Sequence, residues 1–98
     1  MRTPEGYEKN EVRKYLKSIG AYVFAPVQQG FGVPTVDFLV CINGTFWGVE
    51  VKKEGGTPTA RQIRTANEIM AAGGRVAWGT AGKIIAEIEA WRVARPAA

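Results

Sequence analysis

Ninety-eight residues support one domain with a single modest core. The chain has no histidine and one cysteine, Cys41, which excludes histidine general bases, Ser-His-Asp triads, internal disulfides and Cys/His zinc clusters. With a net charge of +4, 46% hydrophobic residues and no apolar run near the ~20 residues of a membrane span, the chain reads as an ordinary globular protein suited to a polyanionic partner. The polar N-terminus lacks the apolar core of a signal peptide, so a cytoplasmic setting is expected.

The first expected element is a helix over residues 4–19. Thr3 serves as its N-cap, Pro4 occupies its first turn, and Gly20 ends it. Val12, Tyr15, Leu16 and Ile19 form its apolar stripe. A short strand over 21–27 follows, and then a loop, Gln28-Gln29-Gly30-Phe31-Gly32-Val33-Pro34. Asn43-Gly44, between two β-rich runs, signals a hairpin closed by a two-residue type I′ turn. A loop over 53–58, a helix over 59–72, a strand over 75–79 and a last helix carrying Ile84, Ile85, Ile88 and Trp91 complete the chain. The strand–helix–strand passage from Glu50 to Val76 implies a parallel pair beside the antiparallel hairpin. A mixed sheet with helices packed on it is expected.

The turn fixes the hairpin register. Ile42 faces Thr45, and Asp37 lies opposite Glu50, with Lys52 two residues further on the same face. On the other face Val36, Phe38 and Val40 meet Val51, Val49 and Trp47, a uniformly apolar set expected to be buried. Two carboxylates about 5 Å apart repel by roughly 3 kcal/mol at an effective dielectric near 20, so a shared proton or a cation must sit with them. Mg²⁺ held by one or two carboxylates, waters and a substrate phosphate oxygen answers that need, with Lys52 orienting or deprotonating the attacking water. Leu39, Cys41, Phe46 and Gly48 share the face of the charged residues, so that face is expected to be covered, with Cys41 an inert core thiol. A solvated ion cluster is the competing reading of the three charges.

Glu8 falls within ~25° of the centre of the first helix's apolar stripe and Glu11 ~85° away, so Glu8 needs a partner such as a metal-site water or Lys52. The alternative for Glu8 is a first-turn acid favouring the helix dipole. Thr59-Ala60-Arg61-Gln62 matches a capping box, and Gln62 can also reach the site from that helix start. Lys53, Arg61, Arg64 and Arg75 are surface charges able to grip phosphates. Trp47, Trp78 and Trp91 fit apolar stripes and read as core or interface residues in preference to base-stacking platforms.

These residues together resemble the VRR-NUC branch of the PD-(D/E)xK nuclease superfamily. The resemblance runs from Glu8 to about Trp91, through Gly32-Val33-Pro34, Asp37, Glu50-Val51-Lys52, Gly55-Gly56, Thr57-Pro58-Thr59, Gln62 and Ala72-Gly73-Gly74-Arg75-Val76-Ala77. The family usually has proline directly before the aspartate; here Thr35 and Val36 intervene. What the resemblance implies is an α/β fold of the restriction-endonuclease type: an αβββαβ core, a mixed sheet flanked by helices, and an extra C-terminal helix over one domain of residues 1–98. It implies hydrolysis of DNA phosphodiesters with Mg²⁺, for which Mn²⁺ can substitute. Asp37, Glu50 and the Val51 backbone carbonyl would hold the metal, Lys52 would position the nucleophile, and Glu8 (through water) and Gln62 would complete the site. Small stand-alone members resemble phage or bacterial proteins and homodimeric Holliday-junction resolvases, which implies a homodimer acting on branched DNA. Competing readings are a sequence-dependent nicking or restriction-type nuclease and a non-catalytic DNA-binding module.

Overall fold

The computed structural model describes residues 4–27 and 35–95. The expected N-cap Thr3 and the loop from Gln28 to Pro34 lie outside them. Helix α1 (Pro4–Ser18) leads into strand β1 (Tyr22–Phe24), then β2 (Phe38–Ile42), β3 (Thr45–Val51), α2 (Ala60–Ala71), β4 (Arg75–Gly79) and α3 (Ala81–Ala94). The four strands form one sheet in chain order, antiparallel between β1, β2 and β3 and parallel between β3 and β4. Strand β1 is shorter than the expected 21–27, and Val27 is exposed. Among the described residues, no helix is long and apolar enough to cross a membrane.

The hairpin has the expected register, with Phe38 opposite Val49, Val40 opposite Trp47 and Ile42 opposite Thr45. Asn43 (φ 47°) and Gly44 (φ 81°) both take the left-handed backbone that a type I′ turn requires. Phe38, Val40, Ile42, Trp47, Val49 and Val51 then fall on one face and pack against α1 and α3. Val12 and Leu16 from α1 and Ile84 and Ile88 from α3 are fully buried there, with Tyr15, Ile19 and Trp91 partly so. Trp47 and Trp91 meet edge to face, with ring centroids 5.2 Å apart. The Tyr15 hydroxyl donates to Glu89, which also pairs with Arg92 at 2.6 Å, tying α1 to α3.

Helix α2 lies on the opposite face. Thr59 is its N-cap, and the capping box with Gln62 is formed in both directions. Its close approach to the sheet depends on Gly48, where an added Cβ would lie 2.6 Å from Ile69 Cδ1 and 3.4 Å from Val36 Cγ2.

Two expectations are corrected here. Val36 is buried but does not join the α1/α3 core opposite Val51; it packs beside Gly48 on the α2 face. The ladder begins only at Phe38, and the Asp37 carboxylate takes the Val51 N–H, so the alternation does not extend back to Val36. Cys41 is exposed rather than a core thiol, because α2 covers β3 and β4 and leaves Tyr22, Phe24 and Cys41 of β1 and β2 open.

Gly48→Val should cost about 1–3 kcal/mol by displacing the Ile69 side chain from its place against the sheet. In chemical denaturation, pairing it with Ile69→Ala should cost less than the sum of the two single changes, because the added branch then occupies the space Ile69 vacates.

Candidate active site

Asp37 stands where β2 begins and Glu50 near the end of β3, so the hairpin register sets them side by side. The Asp37 backbone N–H donates to Glu50 Oε1 at 3.2 Å, and Asp37 Oδ2 accepts from the Val51 N–H at 2.8 Å. Each carboxylate thus satisfies a backbone donor at the point where the ladder stops. The second oxygen of each meets cations or amides. Lys52 Nζ lies 3.5 Å from Glu50 Oε2, and Lys9 Nζ lies 3.4 Å from Asp37 Oδ1. Gln62 Nε2 donates to Glu50 Oε2 at 2.6 Å while Gln62 Oε1 accepts from the Thr59 N–H at 2.8 Å. Gln62 therefore performs both roles that its position allowed: it caps α2 and holds Glu50.

Glu50 is only 5% exposed, the sole buried charged residue among those described. Burial, and next the charge of Asp37, push its carboxyl up from 4.5 to about 7, against the opposing pull of Lys52. An ionised pair here is short of positive charge, which is the condition a hard cation would relieve. The donor set fits a hard divalent cation: carboxylate oxygens of Asp37 and Glu50, with the Val51 backbone carbonyl beside them at the end of β3. Among the described residues no cluster of three or more acidic, histidine or cysteine side chains forms, so waters and a phosphate oxygen would fill the remaining positions.

Glu8 makes a different contact from those the sequence suggested. Its Oε2 accepts from the Ala81 N–H at 3.3 Å, so it sits at the N-terminus of α3 instead of bonding to Lys52. The Ala81 N–H belongs to the first turn of α3, where donors lack helical partners and negative charge is favoured. The sequence reading missed Lys9. It stands one residue after Glu8 and four after Glu5, with which it also pairs at 3.9 Å, and only the docking of α1 beside the start of β2 brings it to Asp37.

A cleft of about 340 Å³ opens over the acidic pair, lined by Thr35, Asp37, Glu50, Thr59, Arg61 and Gln62. Of the basic residues proposed to grip phosphate, Arg61 is at this cleft. Arg75 is stacked over Trp47 and Trp91 on the opposite face of the sheet.

Three layers, a mixed sheet with α1 and α3 on one side and α2 on the other, define an α/β protein of the restriction-endonuclease type. No protein-family model matches the sequence, and comparison with curated proteins finds no match. Among solved structures, one described as "VRR_NUC domain" is similar, with a TM-score of 0.72 and 26% sequence identity over 90% of this chain and 97% of that chain. The chain has the fold of a VRR-NUC domain.

The Glu50 carboxyl should titrate near pH 7 without divalent metal, read from its ¹³C resonance, and Lys52→Met should move the midpoint upward. The folded protein binds this proton more tightly than the unfolded chain does. Its contribution to stability is therefore complete below pH 4.5 and is lost as pH rises to about 7. The loss is on the order of 3 kcal/mol. Melting temperatures should show that fall.

Proposed function

We propose that this protein is a Mg²⁺-dependent DNA endonuclease acting on branched substrates such as Holliday junctions. The observation that carries the reading is the convergence of Asp37, Glu50 and Lys52 at the end of one hairpin, beneath a cleft open to solvent. Its similarity to a structure described as a VRR_NUC domain supports the same reading. Mn²⁺ can replace Mg²⁺ in an all-oxygen donor set. DNA is the partner, and the natural setting is the cytoplasm of a bacterial cell, whether the chain is host- or phage-encoded. A two-fold homodimer would present two sites to the symmetric strands of a junction.

The reaction is addition of water to phosphorus with rupture of a P–O ester bond, leaving a hydroxyl and a phosphate monoester. Asp37, Glu50 and the Val51 carbonyl would hold the metal, which when bound would supply Lewis-acid charge against the developing negative charge of the phosphoryl group. Lys52, beside Glu50 and largely buried, orients the attacking water and can take its proton or counter its charge. Gln62 fixes Glu50 Oε2, and Lys9 pairs with Asp37 Oδ1. Glu8 acts at one remove by anchoring α1 to α3.

Labelled four-way junction, flap, single-stranded and linear duplex DNA, incubated with Mg²⁺, Mn²⁺ or EDTA, test the proposal directly. Metal-dependent symmetric cuts in the junction are expected. Asp37→Asn, Glu50→Ala and Lys52→Ala should each lower the rate at least about 10²-fold without unfolding the protein. Failure to cut any substrate with either metal would leave a DNA-binding module. Glu8→Gln should retain most activity and lose about 0.5–1 kcal/mol of stability.

A further inference from the structure

Helix α2 leaves part of its apolar side unused. Ile63, Ala66 and Met70 recur at helical spacing, yet no residue of α2 is fully buried, and Ile63 and Met70 are 48% and 51% exposed. Beneath them, between α2 and the β4 side of the sheet, lies a cavity of about 290 Å³ floored by Val76 and Trp78. That size is close to the lower limit of ~300 Å³ for small-molecule sites and suits a single ring system. Glu50 and Gln62 line this cavity and also line the cleft over the acidic pair, so they form the wall between the two. A nucleotide whose phosphate lies against Glu50 therefore has its base within reach of the cavity.

From this juxtaposition we infer that the cavity takes one unpaired nucleobase next to the scissile phosphate, with Trp78 as its stacking surface. The inference rests on the nuclease reading and names the feature of branched DNA that the site selects. A flat aromatic ring matches a largely apolar slot with an indole floor, whose lining also includes the carboxylates of Glu50 and Glu87 as acceptors for a base's amino group. The exposed Asn67 amide on the lining can meet the base's polar edge. The Lys83 ammonium lies 3.7 Å from the centre of the Trp78 ring and covers one face of the indole, so the base would stack on the other. A paired and stacked base cannot enter without the cost of extrusion, a cost that falls where stacking is interrupted at a branch point and vanishes in a single-stranded flap. Stacking on an aromatic side chain tolerates any base, so the selection is for unpaired structure and not for sequence.

The test is binding by cleavage-deficient Lys52→Ala protein, with Ca²⁺ replacing Mg²⁺. The ligands are a duplex with one extrahelical 2-aminopurine, the same duplex with an abasic site there, and a fully paired control. The 2-aminopurine duplex should bind about 5- to 150-fold more tightly than the abasic one, and its fluorescence should fall on binding. Adding Trp78→Ala should remove the preference and the quenching. Adding Ala66→Leu, which fills the cavity without deleting packing, should do the same with the melting temperature retained. Equal affinity for all three duplexes, with junction cleavage by the wild type intact, overturns this inference and leaves the nuclease standing. A clear preference in a protein whose wild type cuts nothing overturns the nuclease and leaves the pocket. Variants that change the molecular mass in solution while keeping the preference would reassign the surface to a second copy of the chain.

Discussion

Two carboxylates are forced together where the hairpin ladder ends, and much of the structure around them answers that constraint. The Asn43–Gly44 turn allows one register, which sets Asp37 beside Glu50. Fully ionised and unaided, the pair would repel by roughly 3 kcal/mol at an effective dielectric near 20. Backbone N–H groups of Asp37 and Val51, the ammoniums of Lys9 and Lys52, and the Gln62 amide each offset part of that cost. Burial, and next the part of the Asp37 charge they leave uncompensated, raise the proton affinity of Glu50. A site built this way is held rigidly by strand geometry while remaining short of positive charge, the combination that favours a hard cation.

The helices divide the remaining work. α1 and α3 close one side of the sheet with aliphatic residues and are tied to each other by Tyr15, Glu89 and Arg92. That layer supplies the burial on which stability depends. α2 serves the site more than the core. Its N-terminal turn delivers Gln62 to Glu50, Gly48 lets Ile69 approach the strand, and its apolar stripe is left partly open. A helix packed so lightly leaves room for a cavity next to a buried carboxylate, where a fully closed interface would leave none.

Glu8 shows how a carboxylate near a site can belong to the scaffold. Its helical spacing turns it toward the stripe that α1 buries through Val12 and Leu16. Which partner waited there depended on α3, more than seventy residues later in the chain, whose first-turn Ala81 N–H has no helical acceptor and donates to the Glu8 carboxylate. Lys9 reaches Asp37 by the same docking of α1, and no spacing rule links those two positions.

By itself the sequence determined the order of elements, the mixed sheet and the pairing of Asp37 with Glu50, because each follows from local chemistry. A left-handed Asn-Gly turn, period-two alternation and a Thr59/Gln62 capping box act over a few residues and leave little freedom. Tertiary structure alone decided how far the strands stay paired, which half of the α2 face is covered, and what lies across from each α1 side chain. Val36 left the expected face because the Asp37 carboxylate replaced a ladder partner, and Cys41 stayed exposed because a twelve-residue helix spans only part of a four-stranded sheet. Those outcomes depend on how separate elements dock, and docking is set by shape and volume summed over distant residues, which no local pattern in the chain encodes.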